Sequence, residues 1–304
     1  MTDPAVIGLD WGTTNARAYL IDRDGSIVAE TAAQPLGIMQ VADGGYPAAL
    51  ARLLDALPMA PPPGLPLVLS GMVTSRQGWV ETGYVACPAD FAAVAAAAEI
   101  RSVDGRTLVF APGVSFHDEA GVADVMRGEE LQILGAVESG CPARVFCLPG
   151  THSKWAWVAD GRIVRFRTVM TGETFAALSD HTILGRLMAD RAHDADAFRH
   201  GADRARHGGY VLHDIFGARS EALFGRLAPD AIASYLSGLL IGHEVAAMAG
   251  DLDGGEVVAV VGGAALAERY CAAMAVAGVG CQRIDDPVVT RGQVALARAA
   301  GVTG

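Results

Sequence analysis

Lysine is almost missing from this chain of 304 residues: Lys154 is its single lysine, and the other 22 of the 23 basic side chains are arginines. Acidic residues outnumber basic ones, and the formal net charge is −11. Because such a chain does not attract nucleic acid or an anionic membrane surface, we expect neither as a partner. An anionic ligand would need local cations, and Lys154 is a candidate for one of them.

Signals of several other protein classes are also missing. No apolar run reaches the length of a transmembrane helix and no secretory signal is evident, so we expect a cytoplasmic protein. The five cysteines have no Cys-x-x-Cys spacing, which favours reduced core thiols over disulfides or a metal site. The histidines form no His-Glu-x-x-His pattern, and the seven-residue spacing of His193, His200 and His207 is typical of one solvated helix face.

The length and composition predict two domains, each able to bury a core. The segment Pro112-Gly113 is a plausible boundary, which gives domains 1–113 and 114–304, with a helical insertion near 190–228 in the second. Apolar runs of strand length alternate with helical patterns, which predicts an α/β fold. The predicted strands lie in 5–32, 65–69, 107–110, 144–165, 256–261 and 279–284, and the predicted helices in 46–57, 88–98, 128–137, 173–188, 229–249, 265–277 and 291–300.

One pattern occurs twice. In residues 6–28 an apolar run is followed by a Gly-Thr-Thr turn, a second apolar run and an Asp-Gly hairpin, and residues 147–165 are a fainter copy. An Asp-Gly pair between apolar runs is a strong hairpin signal. Two such units half a chain apart predict a duplicated fold, with one Gly-Thr turn in each half.

A Gly-Thr turn can bind phosphate, because glycine lets the backbone approach a ligand and the N–H groups and hydroxyls are donors. Asp10, at the end of the first strand, offers carboxylate oxygens suited to Mg²⁺ or its waters. Two ordinary hairpins are the alternative interpretation. The candidate phosphate contacts are Gly12, Thr13, Thr14 and Arg17 at the first turn, and Gly150, Thr151, His152 and Lys154 at the second.

Four motifs together resemble the acetate and sugar kinase/heat-shock chaperone/actin superfamily. They are residues 10–14, residues 128–130, Gly150-Thr151 and Gly262-Gly263-Ala264, in that order along the chain. The resemblance implies two duplicated RNase-H-like domains, the actin-like ATPase fold, around a nucleotide cleft that binds ATP. Within it, Gly262, Gly263 and Ala264 resemble the adenosine motif.

Further blocks, residues 36–39, 70–72, 126–130 and 148–155, resemble the 2-dehydro-3-deoxygalactonokinase family. This resemblance implies an enzyme that uses ATP and Mg²⁺ to phosphorylate the 6-hydroxyl of 2-dehydro-3-deoxy-D-galactonate, a small sugar acid. A kinase for the gluconate epimer or for another sugar acid is the nearest alternative, since no residue visibly reads the epimer.

The resemblance also implies roles for two adjacent glutamates. Glu129 occupies the place of the general base of larger carbohydrate kinases, where the carboxylate is an aspartate, and Glu130 can share or take that role. Asp10 is the implied Mg²⁺ residue. The alternative is that both glutamates are solvated and interact with the dipole at a helix N-terminus.

An arginine suits the substrate carboxylate because its guanidinium binds carboxylates in a bidentate manner. Arg76 and Arg127 are the first candidates and Arg167 is the third. The predicted substrate contacts are Gly37, Met39, Ser70, Arg76, Trp79 and Arg127.

Other function classes on the same fold remain open at this stage. They are a nucleotide-dependent regulatory protein, a sugar-sensing repressor and a phosphoanhydride hydrolase. We expect neither a DNA-reading module before Val6 nor a substrate-binding domain after Gly304, which disfavours the first two. Measuring ATP consumption with and without a sugar acid separates kinase from hydrolase. A homo-oligomer is compatible with the sequence.

Overall fold

The computed structural model of the chain describes residues 3–189, 191–285 and 287–303. The strands are β1 (Pro4–Trp11), β2 (Ala16–Asp22), β3 (Ile27–Glu30), β4 (Leu67–Ser70), β5 (Tyr84–Ala86), β6 (Glu99–Val103), β7 (Arg106–Phe110), β8 (Gly113–His117), β9 (Ala123–Met126), β10 (Val145–Leu148), β11 (Ser153–Ala159), β12 (Arg162–Val169), β13 (Val257–Val261) and β14 (Gly280–Ile284). The helices are α1 (Tyr46–Asp55), α2 (Phe91–Ala96), α3 (Glu129–Glu138), α4 (Thr171–His181), α5 (Ala195–Arg206), α6 (Val211–Leu223), α7 (Ile232–Ala249), α8 (Ala264–Ala277) and α9 (Val288–Ala299).

The two larger sheets have the same strand order. The first runs β3-β2-β1-β4-β7-β6 and the second runs β12-β11-β10-β13-β14. When the strands of each sheet are numbered along the chain, both sheets have the spatial order third, second, first, fourth and then the last strand. The first sheet has one further strand, β6, at its edge. Strands β1, β4 and β7 are parallel, as are β10, β13 and β14. This repeat confirms the duplicated α/β fold.

The chain forms two compact units. Unit 1 comprises Met1–Pro142, Trp157–Phe166 and Asp286–Gly304, and unit 2 comprises Ala143–Ala156 and Arg167–Asp285. Unit 1 therefore extends past the predicted boundary at residue 113 and includes α3 and α9. A three-stranded sheet, β5-β8-β9, accounts for part of this extension, since β9 leads directly into α3.

Helix α9 supports the first sheet and α3 through glycines. A Cβ atom at Gly8 of β1 would lie 1.9 Å from Oε1 of Gln293. One at Gly292 would lie 2.1 Å from the carbonyl oxygen of Leu131 in α3. The approach at Gly292 is to backbone and needs glycine, whereas the contacts at Gly8 are with side-chain atoms; α9 thus packs against both α3 and β1 of unit 1.

In unit 2 the stretch 190–228 contains α5 and α6. Helix α5 packs closely on α7, since a Cβ at Gly201 would lie 2.1 Å from the carbonyl oxygen of Tyr235, and one at Gly238 would lie 1.9 Å from that of Phe198. By length and composition α7 could cross a membrane, but 78% of the helix is buried inside the protein. We interpret α7 as the core helix of unit 2.

Two expectations about this half of the chain are wrong. The helix predicted over 173–188 ends at His181, because Thr182 has an extended backbone and its hydroxyl donates to the carbonyl oxygen of Leu178. Cys271 of α8 and Cys281 of β14 form a disulfide with Cα atoms 5.8 Å apart. The ten-residue spacing gave no signal for this pair, because the helix-to-strand turn brings it together. The other three cysteines are free thiols.

Candidate active site

Turn 1, residues 12–15, joins β1 to β2 in unit 1. The N–H of Gly12 donates to the carbonyl oxygen of Asn15 at 2.9 Å, and the side chains of Thr13 and Thr14 are exposed. The carbonyl oxygens of residues 12, 13 and 14 accept N–H groups of residues 38, 39 and 37 at 3.0 to 3.2 Å. These bonds hold the backbone of turn 1 in place, and the side chains of Thr13 and Thr14 are exposed to solvent.

Gly37 makes this arrangement possible. A Cβ atom there would lie 2.2 Å from the carbonyl carbon of Thr14 and 2.3 Å from the carbonyl oxygen of Thr13. The predicted substrate contact Gly37 is therefore the residue on which turn 1 rests. Met39, two residues later, is exposed beside the turn.

Charged groups surround the end of β1. Asp10 pairs in register with Arg17 of β2 and with Ser70 of β4. Burial raises the pKa of Asp10, Arg17 opposes this shift, and the carboxylate of Glu129 adds to it. Burial, and next the charge of Asp10, also raise the pKa of Tyr19. Arg17 and Glu129 therefore both act electrostatically on Asp10.

The start of α3 reaches this point through two glycines with positive φ. Gly71 follows β4 with φ 88°, and a Cβ there would lie 2.9 Å from the carbonyl oxygen of Trp11. Gly128 precedes α3 with φ 103°, and its Cβ would lie 3.2 Å from the Cα of Gly71. These close approaches place the first turn of α3 at the carboxyl ends of β1 and β4.

The two adjacent glutamates of α3 have different surroundings. Glu129 is partly exposed, and its Oε2 accepts the backbone N–H of Arg127 at 3.1 Å. Glu130 is fully buried, and its Oε2 accepts the N–H of Gly128 at 2.6 Å. Its Oε1 has no partner among the described residues. Burial, and next the charge of Glu129, raise the pKa of Glu130 to about 8.

Arg127 is held by the protein itself. Its Nη1 donates to the hydroxyls of Thr74 at 2.7 Å and Thr82 at 2.6 Å, and its Nη2 donates to the Thr82 carbonyl at 3.0 Å. Its guanidinium also lies 4.6 Å from the ring centre of Tyr84. These contacts fix the loop that follows β4, and they argue against Arg127 as the carboxylate-binding arginine.

Arg76 differs from the other candidate arginines. It is exposed in the loop after β4 and makes no ion pair or side-chain hydrogen bond with the residues that the structure describes. Arg167, the third candidate, pairs with Asp251 at 2.7 Å. Arg76 is therefore the best placed of the three for an external carboxylate.

The other predicted substrate contacts have structural roles. Ser70 is buried, its hydroxyl donates to a backbone carbonyl of β1 at 3.0 Å, and it accepts Nε2 of Gln293 at 3.1 Å. This geometry argues against a substrate contact by Ser70. Trp79 stacks on Tyr46 with ring centres 5.7 Å apart and is partly buried against the core of unit 1.

Turn 2, residues 150–152, joins β10 to β11 in unit 2. Thr151 and His152 are exposed, and His152 pairs with Glu173 at 2.5 Å. The N–H of Glu173 donates to the carbonyl oxygen of Thr151 at 3.0 Å. A Cβ at Gly172 would lie 2.4 Å from the carbonyl oxygen of Gly150. The first turn of α4 therefore packs against the backbone of turn 2.

The glycine segment, residues 262–264, lies beside turn 2. It follows β13, which is parallel to β10, and its three residues are exposed. A Cβ at Gly262 would lie 3.7 Å from both the carbonyl oxygen and the Cδ of Pro149. Lys154, the second residue of β11, is buried, with 5% of its surface exposed.

Two residues that shape unit 2 were missed by sequence reasoning. Gly172 lies in no motif, and only its contact with Gly150 reveals its role. Glu244 had a signal, since it is the only acidic residue in the apolar helix α7. Among the described residues no group of three or more His, Cys, Asp or Glu side chains could hold a metal ion.

Comparisons with known proteins identify the relatives of this chain. Residues 10–296 match the family model for 2-keto-3-deoxy-galactonokinase. The chain is 38% identical over 302 residues to a “probable 2-dehydro-3-deoxygalactonokinase” of Rhizobium meliloti (strain 1021), covering 96% of each protein. It is 34% identical over 265 residues to the 2-dehydro-3-deoxygalactonokinase of Escherichia coli (strain K12), covering 87% of each.

Solved structures show the same relationship. The crystal structure of a “putative 2-dehydro-3-deoxygalactonokinase protein” from Sinorhizobium meliloti matches with a TM-score of 0.87 and 35% identity, covering 97% of this chain and 98% of that one. The activator of the 2-hydroxyisocaproyl-CoA dehydratase from Clostridium difficile, with bound ADPNP, shares the fold at a TM-score of 0.52 and 13% identity, covering 97% and 94%. The chain belongs to the 2-keto-3-deoxy-galactonokinase family.

Proposed function

We propose that the protein transfers the γ-phosphoryl group of ATP to the 6-hydroxyl of 2-dehydro-3-deoxy-D-galactonate. The family match over residues 10–296 and the names of the relatives support this substrate. The structural observation that carries the proposal is the meeting of Asp10, turn 1 and the accessible Glu129 at the carboxyl ends of β1 and β4. Ligands of open α/β sheets bind at such strand ends.

Both Gly-Thr turns would bind the phosphates of ATP. Turn 1 would offer Gly12, Thr13 and Thr14, and turn 2 would offer Gly150, Thr151 and His152. The exposed threonine hydroxyls are suited to phosphate oxygens, whereas the N–H of Gly12 is bonded to Asn15. Arg17 is exposed after turn 1, whereas Lys154 would act on the phosphates from a buried position. The adenosine part would lie along the glycine segment, where a flat ring can approach the backbone.

The residues at the end of β1 fit a Mg²⁺ ion. Mg²⁺ is usually held by one or two carboxylates together with substrate phosphates. Burial raises the pKa of Asp10, and the nearby carboxylate of Glu129 raises it further; a bound cation would offset the repulsion between the two carboxylates. Asp10 would hold the ion, directly or through water. When bound, Mg²⁺ supplies positive charge that offsets the charge of the phosphates.

Glu129 would be the general base. As the 6-oxygen of the sugar acid attacks the γ-phosphorus, a P–O bond forms, the bond from the γ-phosphorus to the bridging oxygen of ADP breaks, and Glu129 takes the hydroxyl proton. Glu129 suits this role because it is accessible, whereas Glu130 is fully buried. Phosphoryl transfer depends mainly on positioning and charge neutralisation, so the base adds to catalysis that the turns provide.

Arg76 would bind the carboxylate of the sugar acid. Its guanidinium is exposed, and a bidentate pair with a carboxylate favours sugar acids over neutral sugars. Arg127 would hold the same loop through Thr74 and Thr82.

An ATP-coupled screen tests the proposal. The acceptors are 2-dehydro-3-deoxy-D-galactonate, its gluconate epimer, other aldonic acids, glucose and glycerol, with a reaction without acceptor. We expect ATP consumption that depends on a 2-dehydro-3-deoxy sugar acid and is greatest with the galactonate form. Equal ATP consumption without acceptor would indicate a hydrolase, and good phosphorylation of glucose or glycerol would contradict the sugar-acid assignment.

A further inference from the structure

We propose that Glu244 is a positioning residue for ATP: its buried carboxylate fixes turn 2 and the helix that follows the glycine segment to each other. This inference rests on the proposed function, because it assigns turn 2 and the glycine segment to ATP. It adds a residue that contacts neither segment directly and that lies in the middle of α7, about ninety positions along the chain from turn 2.

The carboxylate of Glu244 accepts four side-chain hydrogen bonds. Oε1 accepts from Ser153 Oγ and from Trp155 Nε1, both at 2.7 Å. Oε2 accepts from the hydroxyl of Tyr270 at 2.7 Å and from that of Thr171. A carboxylate has about four acceptor positions, so these donors satisfy it without water. Glu244 is 4% exposed, and hydrogen bonds to a carboxylate are stronger than neutral ones.

The four donors come from elements that border the two proposed ATP segments. Ser153 begins β11, directly after turn 2. Thr171 begins α4, and the next residue, Gly172, is the one on which Gly150 rests. One carboxylate thus holds both the strand that follows turn 2 and the helix that packs against it.

The fourth donor connects the second ATP segment. Tyr270 lies in α8, which starts at Ala264, the last residue of the glycine segment. Burial, and next the charge of Glu244, raise the pKa of Tyr270, so its hydroxyl keeps the proton that it donates. One carboxylate therefore sets the spacing between turn 2 and α8.

Stability alone is a weak explanation for an acid at this position. Moving a carboxylate out of water is costly, and well-packed apolar residues of similar volume often give equal or greater stability than buried charges. Helix α7 is otherwise apolar over most of its buried surface. A group that fixes geometry explains the position better, because a shift of about 1 Å in a binding segment can cost on the order of a hundredfold in rate.

The test uses Glu244→Gln in the full chain. Glutamine keeps the shape and can accept from Ser153 and Trp155, but it turns an NH₂ group toward the hydroxyls of Thr171 and Tyr270. We expect KM for ATP and Kd for ADP, measured by calorimetry without sugar acid, to rise about tenfold, the loss expected for a hydrogen bond to a charged group. KM for the sugar acid should stay within about a factor of two.

Ser234→Ala is the matched control. Ser234 is buried in the same helix and bonds to the N–H of Asp194 and the carbonyl of Ala192, away from turn 2. Ser234→Ala should lower the melting temperature and leave both KM for ATP and Kd for ADP unchanged. If Glu244→Gln lowers the melting temperature and also leaves both nucleotide constants at the wild-type values, the residue is only structural and the inference is wrong.

Two milder variants keep the test open if Glu244→Gln does not fold. Tyr270→Phe and Thr171→Val each remove one donor and retain the carboxylate. Each should raise Kd for ADP by a smaller factor than Glu244→Gln, and unchanged Kd values in both would overturn the inference. A wild-type protein that binds no ADP would instead refute the proposed function, which separates the two failures.

Discussion

In each unit a Gly-Thr turn follows the first strand of the sheet and rests on a glycine from a later segment. Gly37 follows β3 and lies against turn 1, and Gly172 follows β12 and lies against turn 2. In both cases a Cβ would lie within 2.4 Å of turn backbone. In both halves of the duplicated fold, a glycine therefore packs against the backbone of the Gly-Thr turn.

The side chains around the two turns differ. Asp10 lies three residues before Thr13, whereas the same place before Thr151 holds the buried Leu148. Arg17 lies four residues after Thr13 and is exposed, and the same place after Thr151 holds Trp155, which donates to Glu244. The acid that suits a metal belongs to unit 1 alone. The two turns therefore share their backbone geometry and differ in the side chains beside them.

Each unit also contains a buried glutamate, and the two differ in their hydrogen-bond donors. Glu244 has four side-chain donors. Glu130 accepts backbone N–H groups at one oxygen only, and its pKa is raised to about 8. A carboxylate with a full set of donors can position other groups, whereas one with few donors tends to hold a proton.

The largest expected effect concerns the proposed base of unit 1. We expect Glu129→Gln to lower kcat about 10²- to 10⁴-fold with KM little changed, because glutamine keeps the shape and is not basic. Steady-state kinetics with ATP and the sugar acid measure this effect. If Glu130→Gln is the more damaging change, the base is Glu130, and if neither matters, positioning alone drives the transfer.

The next effect tests whether the metal chemistry resides in unit 1. Asp10→Asn should lower kcat on the order of 10²- to 10³-fold, because an amide does not offset the charge of Mg²⁺. The exposed Asp24→Asn in the following hairpin is the control and should leave kcat unchanged. Circular dichroism should show an intact fold in both. Near-normal turnover of folded Asp10→Asn would exclude Asp10 as the metal residue.

Much of this comparison was accessible from the sequence. The apolar runs, the Gly-Thr turns and the Asp-Gly hairpins predicted the strands of residues 4–30 and 145–169, because these signals are local. The β5-β8-β9 sheet was not predicted, since its strands are short and partly exposed. The role of α9 depends on contacts such as Gln293 with Ser70, 223 positions apart, and no local pattern encodes them.

The shared backbone of the two turns gives the third prediction. Gly37→Ala and Gly172→Ala should each raise KM for ATP, by about tenfold to a hundredfold, because the new Cβ displaces the turn. Gly83→Ala in unit 1 and Gly254→Ala in unit 2 have open space at the Cβ position and are the controls. If KM for ATP rises in only one of the two variants, the turn beside the other glycine does not bind ATP.

A smaller effect is expected at the loop after β4. Arg76→Ala should raise KM for the sugar acid about tenfold, through uniform loss of binding, and leave KM for ATP unchanged. Arg127→Ala should mainly lower the melting temperature, because its guanidinium holds Thr74 and Thr82. If Arg127→Ala raises KM for the sugar acid in a folded protein and Arg76→Ala does not, the two roles are reversed.

The smallest effect on turnover, and the clearest on stability, is expected at Glu130. Its pKa rises from 4.5 to about 8 in the folded chain, so the native state holds a proton that the unfolded state releases between these values. Stability therefore falls as the pH increases through this window, and the loss is complete above pH 8. Glu130→Gln does not ionise, so its melting temperature should lack this fall while kcat changes less than about tenfold.

Melting curves from pH 5 to 9 for wild type, Glu130→Gln and the exposed Glu138→Gln of the same helix measure the difference. We expect Glu138→Gln to follow the wild type and Glu130→Gln to gain on both as the pH rises, and parallel curves for all three would show that Glu130 carries no raised pKa.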